Sequence, residues 1–184
     1  MEIFNDLIYI DRIQSGDYRA FSAIVTHYRQ MVFTLVIKIV GNREEAEDVT
    51  QEIFIKVFKS IDRFKKDSKF STWLYRIAYN TTLSELRKRK FEFVSFEENP
   101  KNLQEAELND DIDNLNKEER IQYLELAIKK LSPDETLLIS LFYLNNQSME
   151  EISRIANLTV ANVKVKLHRI RKKLAVEINK LMDE

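Results

Sequence analysis

The chain has 184 residues, 44% of them apolar, which is enough for one or two domains that need no external staple. It has no cysteine and only two histidines, His27 and His168, far apart in sequence, which excludes disulfides and a thiolate or histidine-rich metal site. The net charge of −1 conceals a partition: residues 1–92 carry 16 basic and 13 acidic side chains, residues 93–118 carry 2 and 8, and residues 119–184 carry 11 and 9.

Two glycines and two prolines, with abundant Leu, Ile, Lys and Glu, predict an all-α protein. The N-terminus places Glu2, Asp6 and Asp11 where a secretion signal needs a basic start. The apolar stretch around Met31 to Val40 is broken by Thr34 and Lys38 and falls short of the roughly 20 residues that cross a bilayer. A cytoplasmic protein with no membrane span is expected.

A first helix ends at a break over Ser15 to Asp17. Asp17 is placed to cap a second helix, with Phe21, Ile24, Val25, Tyr28, Val32, Leu35 and Ile39 on its apolar face and Gly41 as its stop. Asn42, with Glu45 three residues on, starts a third helix in which Ala46, Val49, Ile53 and Val57 face inward and which ends near Ser60. The lysine-rich loop Arg63 to Lys69 leads to a fourth helix from about Thr72 to Lys90, whose inner face is read as Trp73, Leu74, Ile77, Ala78 and Thr81. These four helices make one bundle.

Residues 93–118 lack an apolar repeat and contain Pro100 and the acidic cluster Asp110, Asp111 and Asp113, the composition of a flexible acidic linker. A second domain is expected over 119–184, beginning with a helix that carries Leu124, Ala127, Ile128 and Leu131 on one face. Ser132, Pro133 and Glu135 form the start of the next helix, which runs to about Leu144 and ends at Asn145 and Asn146.

Ser148 and Glu151 form another capping box, opening a short helix with Ile152, Ile155 and Ala156 inward. A turn at Asn157 and Leu158 follows, then Thr159 as the cap of a helix with Val160, Val163, Leu167, Ile170 and Leu174 at steps of three and four. This is the layout of a helix-turn-helix. From Ile152 to Val176 there are seven Lys or Arg and no acid. The outward positions include Ala161, Asn162, Lys164, Val165, Lys166, His168, Arg169, Arg171 and Lys172. Cations there can neutralise phosphates, and Asn162, Lys164 or Lys166 can reach base edges. A plain solvated basic face is the alternative; the turn and the run without acids favour DNA contact.

The segment MEEISRIANLTVANVKVKLHRIRKKL resembles region 4 of the sigma-70 superfamily, through Glu151-Ile152, Leu158, Val160, Val163-Lys164, Leu167, Arg169 and Arg171 to Leu174. Asn157 departs from the more usual glycine. The stretch AEDVTQEIFIKVFKSIDRFKKDSKFSTWLYRIAYN resembles region 2, and the arrangement looks like the extracytoplasmic-function (ECF) group. The resemblance implies an alternative sigma factor that binds core RNA polymerase and directs it to promoters. Residues 1–92 would act as region 2, and residues 119–184 as region 4, reading the minus-35 element with Thr159, Ala161, Asn162, Lys164, Lys166, Arg169, Arg171 and Lys172.

It further implies that Glu47, Asp48, Gln51, Glu52, Phe54 and Lys56 meet the clamp coiled coil of the beta-prime subunit, with the beta flap as a second polymerase contact. Asp48, Gln51, Glu52 and Ile55 fall at helical spacing, a stripe suited to a partner helix or to solvent alike. Minus-10 recognition and melting would fall to Phe64, Lys65, Lys69, Trp73, Tyr75, Arg76, Asn80 and Arg87, with Phe64 and Asn80 as readers of an extruded base. Bases freed from the duplex need aromatic partners and a cationic path. Phe70 and Trp73 fit a core role equally well, while Tyr75, Arg76, Tyr79 and Asn80 are read as exposed. Arg87 to Lys90 form a basic tail.

In similar proteins the acidic linker threads toward the polymerase active-site cleft; an inert spacer fits the composition as well. The resemblance also implies an anti-sigma factor as a partner. No glycine-rich phosphate loop or catalytic histidine motif is present, so no enzyme, cofactor or metal is expected. An ordinary helix-turn-helix regulator is the rival reading, and it leaves the Phe64 to Tyr79 loop unexplained.

Overall fold

The computed structural model describes residues 4–92 and 116–183, and all the regular elements among them are helical. The chain divides into two compact units. The first contains α1 (Asp6–Gln14), a 3-10 turn (Tyr18–Ala20), α2 (Phe21–Val40), α3 (Arg43–Ser60), a second 3-10 turn (Ile61–Arg63) and α4 (Phe70–Glu92). The second contains α5 (Lys117–Ile128), α6 (Pro133–Tyr143), α7 (Met149–Ala156) and α8 (Val160–Asp183). The acidic cluster at Asp110, Asp111 and Asp113 and most of the linker lie outside the described residues.

In the first unit α2 packs on α1, α3 and α4, burying Ile24, Tyr28, Val32, Leu35 and Val36. By length and composition Tyr18–Val40 is apolar enough to cross a membrane, a longer stretch than the Met31 to Val40 run suggested, but its central stripe is built into this core. Gly41 ends α2 at φ 77°, where its N–H donates to the Ile37 carbonyl at 2.9 Å. The Asn42 side chain accepts from the Glu45 N–H at 3.1 Å, and α3 then buries Ala46, Val49, Ile53 and Val57 as its spacing predicts. Asp17 does not cap α2. A 3-10 turn intervenes, and the Asp17 carboxylate instead binds the Arg12 guanidinium at 2.7 Å, a charged partner that outcompetes a neutral amide.

In the second unit α8 packs on α5 and α6. The unit begins with a capping box between Asn116 and Glu119, so the helix starts inside the stretch read as linker. Leu124 is 41% exposed, contrary to the expected inward face, which is carried by Ala127 and Leu131. The box at Ser132 and Glu135 forms as predicted with Pro133 in the first turn, and Asn146 takes the left-handed conformation after α6.

Candidate nucleic-acid interfaces

The helix-turn-helix is closed at every corner by local hydrogen bonds. Ser148 and Glu151 bond reciprocally at 2.9 and 3.1 Å to start α7. Asn157 sits at φ 55°, and around it the Leu158 N–H reaches the Ser153 carbonyl at 2.9 Å, the six-to-one bond of a Schellman turn. Asparagine tolerates that backbone, so the departure from glycine leaves the turn intact. Thr159 Oγ1 then accepts from the Asn162 N–H at 3.2 Å, and α8 buries Val163, Leu167, Ile170 and Leu174.

This burial leaves Ala161, Asn162, Lys164, Val165, His168, Arg169 and Arg171 exposed. Two lysines of α8 are tied back to the first turn of α6: Lys166 Nζ lies 2.8 Å from Asp134 and Lys173 Nζ lies 2.9 Å from Glu135. Lys166 is therefore held within the unit, while Asn162, Lys164 and Arg169 present the open face. Arg171 holds its guanidinium carbon 6.0 Å from the Phe142 ring centroid, a cation–π placement that orients it. Lys172 is half-buried. Burial pushes the Glu135 carboxyl up, but hydrogen bonding from the Ser132 N–H and the Lys173 ammonium outweigh it and leave it below its ordinary value.

In the first unit a groove of about 630 Å³ runs between α2 and α3. Phe21, Val25, Phe33, Ile55 and Phe58 give it an apolar wall, and Glu47, Asp48 and Gln51 line its polar side. Phe58 and Ile55 are each 40% exposed. Of the sequence-predicted polymerase residues, Asp48 and Gln51 are exposed and Glu52 and Lys56 are partly so, 3.5 Å from each other. Phe54 is buried beneath them because it lies on the same helical side as Thr50 and Ile53.

A second groove, about 790 Å³, lies between the end of α3 and α4. Lys56, Lys59, Arg63 and Arg76 supply its charge, Trp73 and Ile77 its apolar surface, and Asn80 its amide. Asn80 Nδ2 donates to the Arg76 carbonyl at 2.8 Å. Trp73, Arg76 and Asn80 are thus brought together as expected. Lys59 and Arg63 were missed, although Lys56, Lys59 and Arg63 stand at i, i+3 and i+7, the spacing of a single helix face. Lys65, Lys69 and Arg87 are exposed, the first two on the loop, and Lys88 pairs with Glu85 at 2.7 Å.

Three aromatic placements need correction. Phe64 is 3% exposed, wedged against Phe70 and Trp73 at centroid distances of 5.6 and 5.2 Å. Tyr75 and Tyr79, read as exposed, are 2% and 5% exposed. Of the expected inner face of α4, Leu74, Ala78 and Thr81 are buried; Tyr75, Tyr79 and Thr82 join them, and Trp73 and Ile77 are half-buried and line the basic groove.

Residues 24–92 match the Sigma-70 region 2 family and residues 121–174 the Sigma-70, region 4 family. The ECF RNA polymerase sigma factor SigW of Bacillus subtilis (strain 168) is 34% identical over 180 residues, covering 94% of this chain and 96% of its own length. The ECF RNA polymerase sigma-E factor of Escherichia coli (strain K12) is 32% identical over 199 residues, covering 98% of each. Among solved structures, the fold is similar to that of the sigma factor RpoE from Bartonella quintana in complex with the anti-sigma factor NepR, with a TM-score of 0.64 at 22% identity over 86% of this chain and 96% of that one. It is also similar to CnrH in complex with the cytosolic domain of CnrY, with a TM-score of 0.63 at 22% identity over 97% of each chain.

Proposed function

The chain belongs to the ECF group of the sigma-70 family, alternative sigma factors that bind core RNA polymerase and direct promoter-specific transcription initiation, and from that premise we propose which of its surfaces do each part. Residues 1–92 act as region 2 and residues 119–184 as region 4, with α5 extending the latter back to Asn116. The minus-35 duplex meets the exposed face of α8, with Asn162 and Lys164 toward base edges and Arg169, Arg171 and Lys172 toward phosphates. Lys166 reaches DNA only by leaving Asp134.

The single observation that carries the melting role is the second groove, which sets Trp73 and Asn80 beside four cations. A stacking surface within a cationic path is what single-stranded DNA requires. Lys65, Lys69 and Arg87 extend that path. Phe64 and Tyr75 are packed inside and serve as supports for Trp73 and the helix. Asp48, Gln51, Glu52 and Lys56, beside the apolar groove of α2 and α3, take the beta-prime clamp coiled coil, with Phe54 as their floor; the second unit takes the beta flap.

The exposed apolar surface of Phe58 and Ile55 also suits an anti-sigma factor, which would compete with polymerase. The protein works in the cytoplasm, needs no cofactor and makes or breaks no covalent bond itself.

Run-off transcription on a promoter library, with core polymerase and with the protein added or withheld, tests this. Starts that share a two-block upstream motif only in its presence are expected. Clean duplex binding by the protein alone, without new starts, would overturn the assignment.

A further inference from the structure

We propose that α1 is a positioning element for the minus-10 loop, acting through Gln14 and Asp11. The inference rests on the assignment of the second groove to minus-10 DNA. Its basis is a set of contacts between residues about fifty positions apart. Gln14 Nε2 donates to the Ile61 carbonyl at 2.9 Å and to the Phe64 carbonyl at 3.2 Å. Its two amide hydrogens thus reach both carbonyls that bracket the 3-10 turn, adding a second donor at Ile61, whose carbonyl also accepts the Phe64 N–H at 3.0 Å.

Two residues on, Lys66 adopts φ 62°, a left-handed backbone that a lysine does not favour, and its ammonium pairs with Asp11. The turn is therefore held at both ends from α1. α1 has its own anchors apart from this arrangement: Ile10 and Ile13 are fully buried, and Tyr28 Oη secures its start through Asp6 at 2.8 Å.

What the clamp fixes is the groove. The held turn carries Phe64, whose ring supports Trp73, and it sets the path of the chain to Lys65 and Lys69. Loosening it leaves every proposed DNA-contacting side chain present but releases the geometry that gathers them.

The test uses full-length protein in holoenzyme on a fork DNA whose minus-10 segment is already single-stranded. Gln14→Leu is expected to weaken binding about fivefold to tenfold, the loss of two ordinary hydrogen bonds diluted by loop adjustment. Affinity for core polymerase and binding to minus-35 duplex should stay unchanged, and the thermal midpoint should fall by no more than the loss of two ordinary hydrogen bonds explains. Asp11→Lys should lose binding similarly, and adding Lys66→Asp should restore it to within twofold. Asp11 and Lys66 are exposed, so this pair carries the test even if Gln14→Leu melts the bundle.

Arg76→Ala separates the two levels. If it weakens fork binding while the Gln14 and Asp11 variants do not, the role of α1 is overturned and the groove stands. If it has no effect, the groove assignment fails and the inference falls with it. Equal losses in core affinity and fork binding, unrestored by the charge exchange, would make α1 a packing element only.

Discussion

Glu135 closes two interactions at once, and replacing it separates them. Its carboxylate accepts from the Ser132 N–H at 2.7 Å and meets Lys173 at 2.9 Å, with the two side chains only 28% and 25% exposed. Glu135→Gln keeps an oxygen for Ser132 and removes the charge. The loss combines a partly buried ion pair with a favourable charge at a helix N-terminus, about 1–2 kcal/mol together. Glu135→Ala also opens the capping box and adds about 1 kcal/mol more. In a unit of this size each kcal/mol lowers the midpoint by about 4–8 °C.

Circular dichroism melts at neutral pH should therefore order wild type, Gln and Ala in falling stability. The carboxyl is held below its ordinary value in the folded state. Its contribution is accordingly complete above the ordinary carboxylate range and is lost as the pH falls through the depressed folded value. The gap between wild type and Glu135→Gln should close in acid. A gap under about 0.5 kcal/mol at neutral pH, the scatter of ordinary surface substitutions, or one that persists unchanged in acid, would refute the account.

Two further outcomes follow from the same geometry. Gly41→Ala meets open space but must adopt φ 77°, so denaturant unfolding should show a loss of about 1–2 kcal/mol from backbone strain alone, and a neutral result would contradict the left-handed cap. Arg169→Ala should weaken all minus-35 duplexes alike and lower the slope of log affinity against log salt by about 1, whereas Lys166→Ala, with its ammonium already on Asp134, should change the slope less. Equal slope changes would show that the ion pair does not persist against DNA.

Helix boundaries were legible wherever four residues suffice to write them. Ser132 with Glu135, Ser148 with Glu151, Asn42 and Gly41 all behave as their local chemistry dictates. Asn116 with Glu119 belongs to the same code but was lost inside an acidic stretch whose composition spoke louder. Facing was harder to read. Tyrosine counts as surface by its hydroxyl and as core by its ring, so Leu74, Ala78 and Thr81 of α4 are legible as core while Tyr75 and Tyr79 beside them are not, and only packing against α2 and α3 puts those two inside. The clamp on the 61–66 turn joins residues about fifty positions apart and carries no local signature.

The capping boxes of the second unit also bear on how quickly it assembles. Those at the starts of α5, α6 and α7 each close within three residues of sequence, so they form on the timescale of helix growth, roughly 0.1–1 μs. What remains is the meeting of α5 with α8, which must wait for α6 and α7 to bring the ends together. That closure is the expected slow step of the unit's folding, so substitutions in the α5 and α8 interface should change the refolding rate in stopped-flow measurements more than those at the caps.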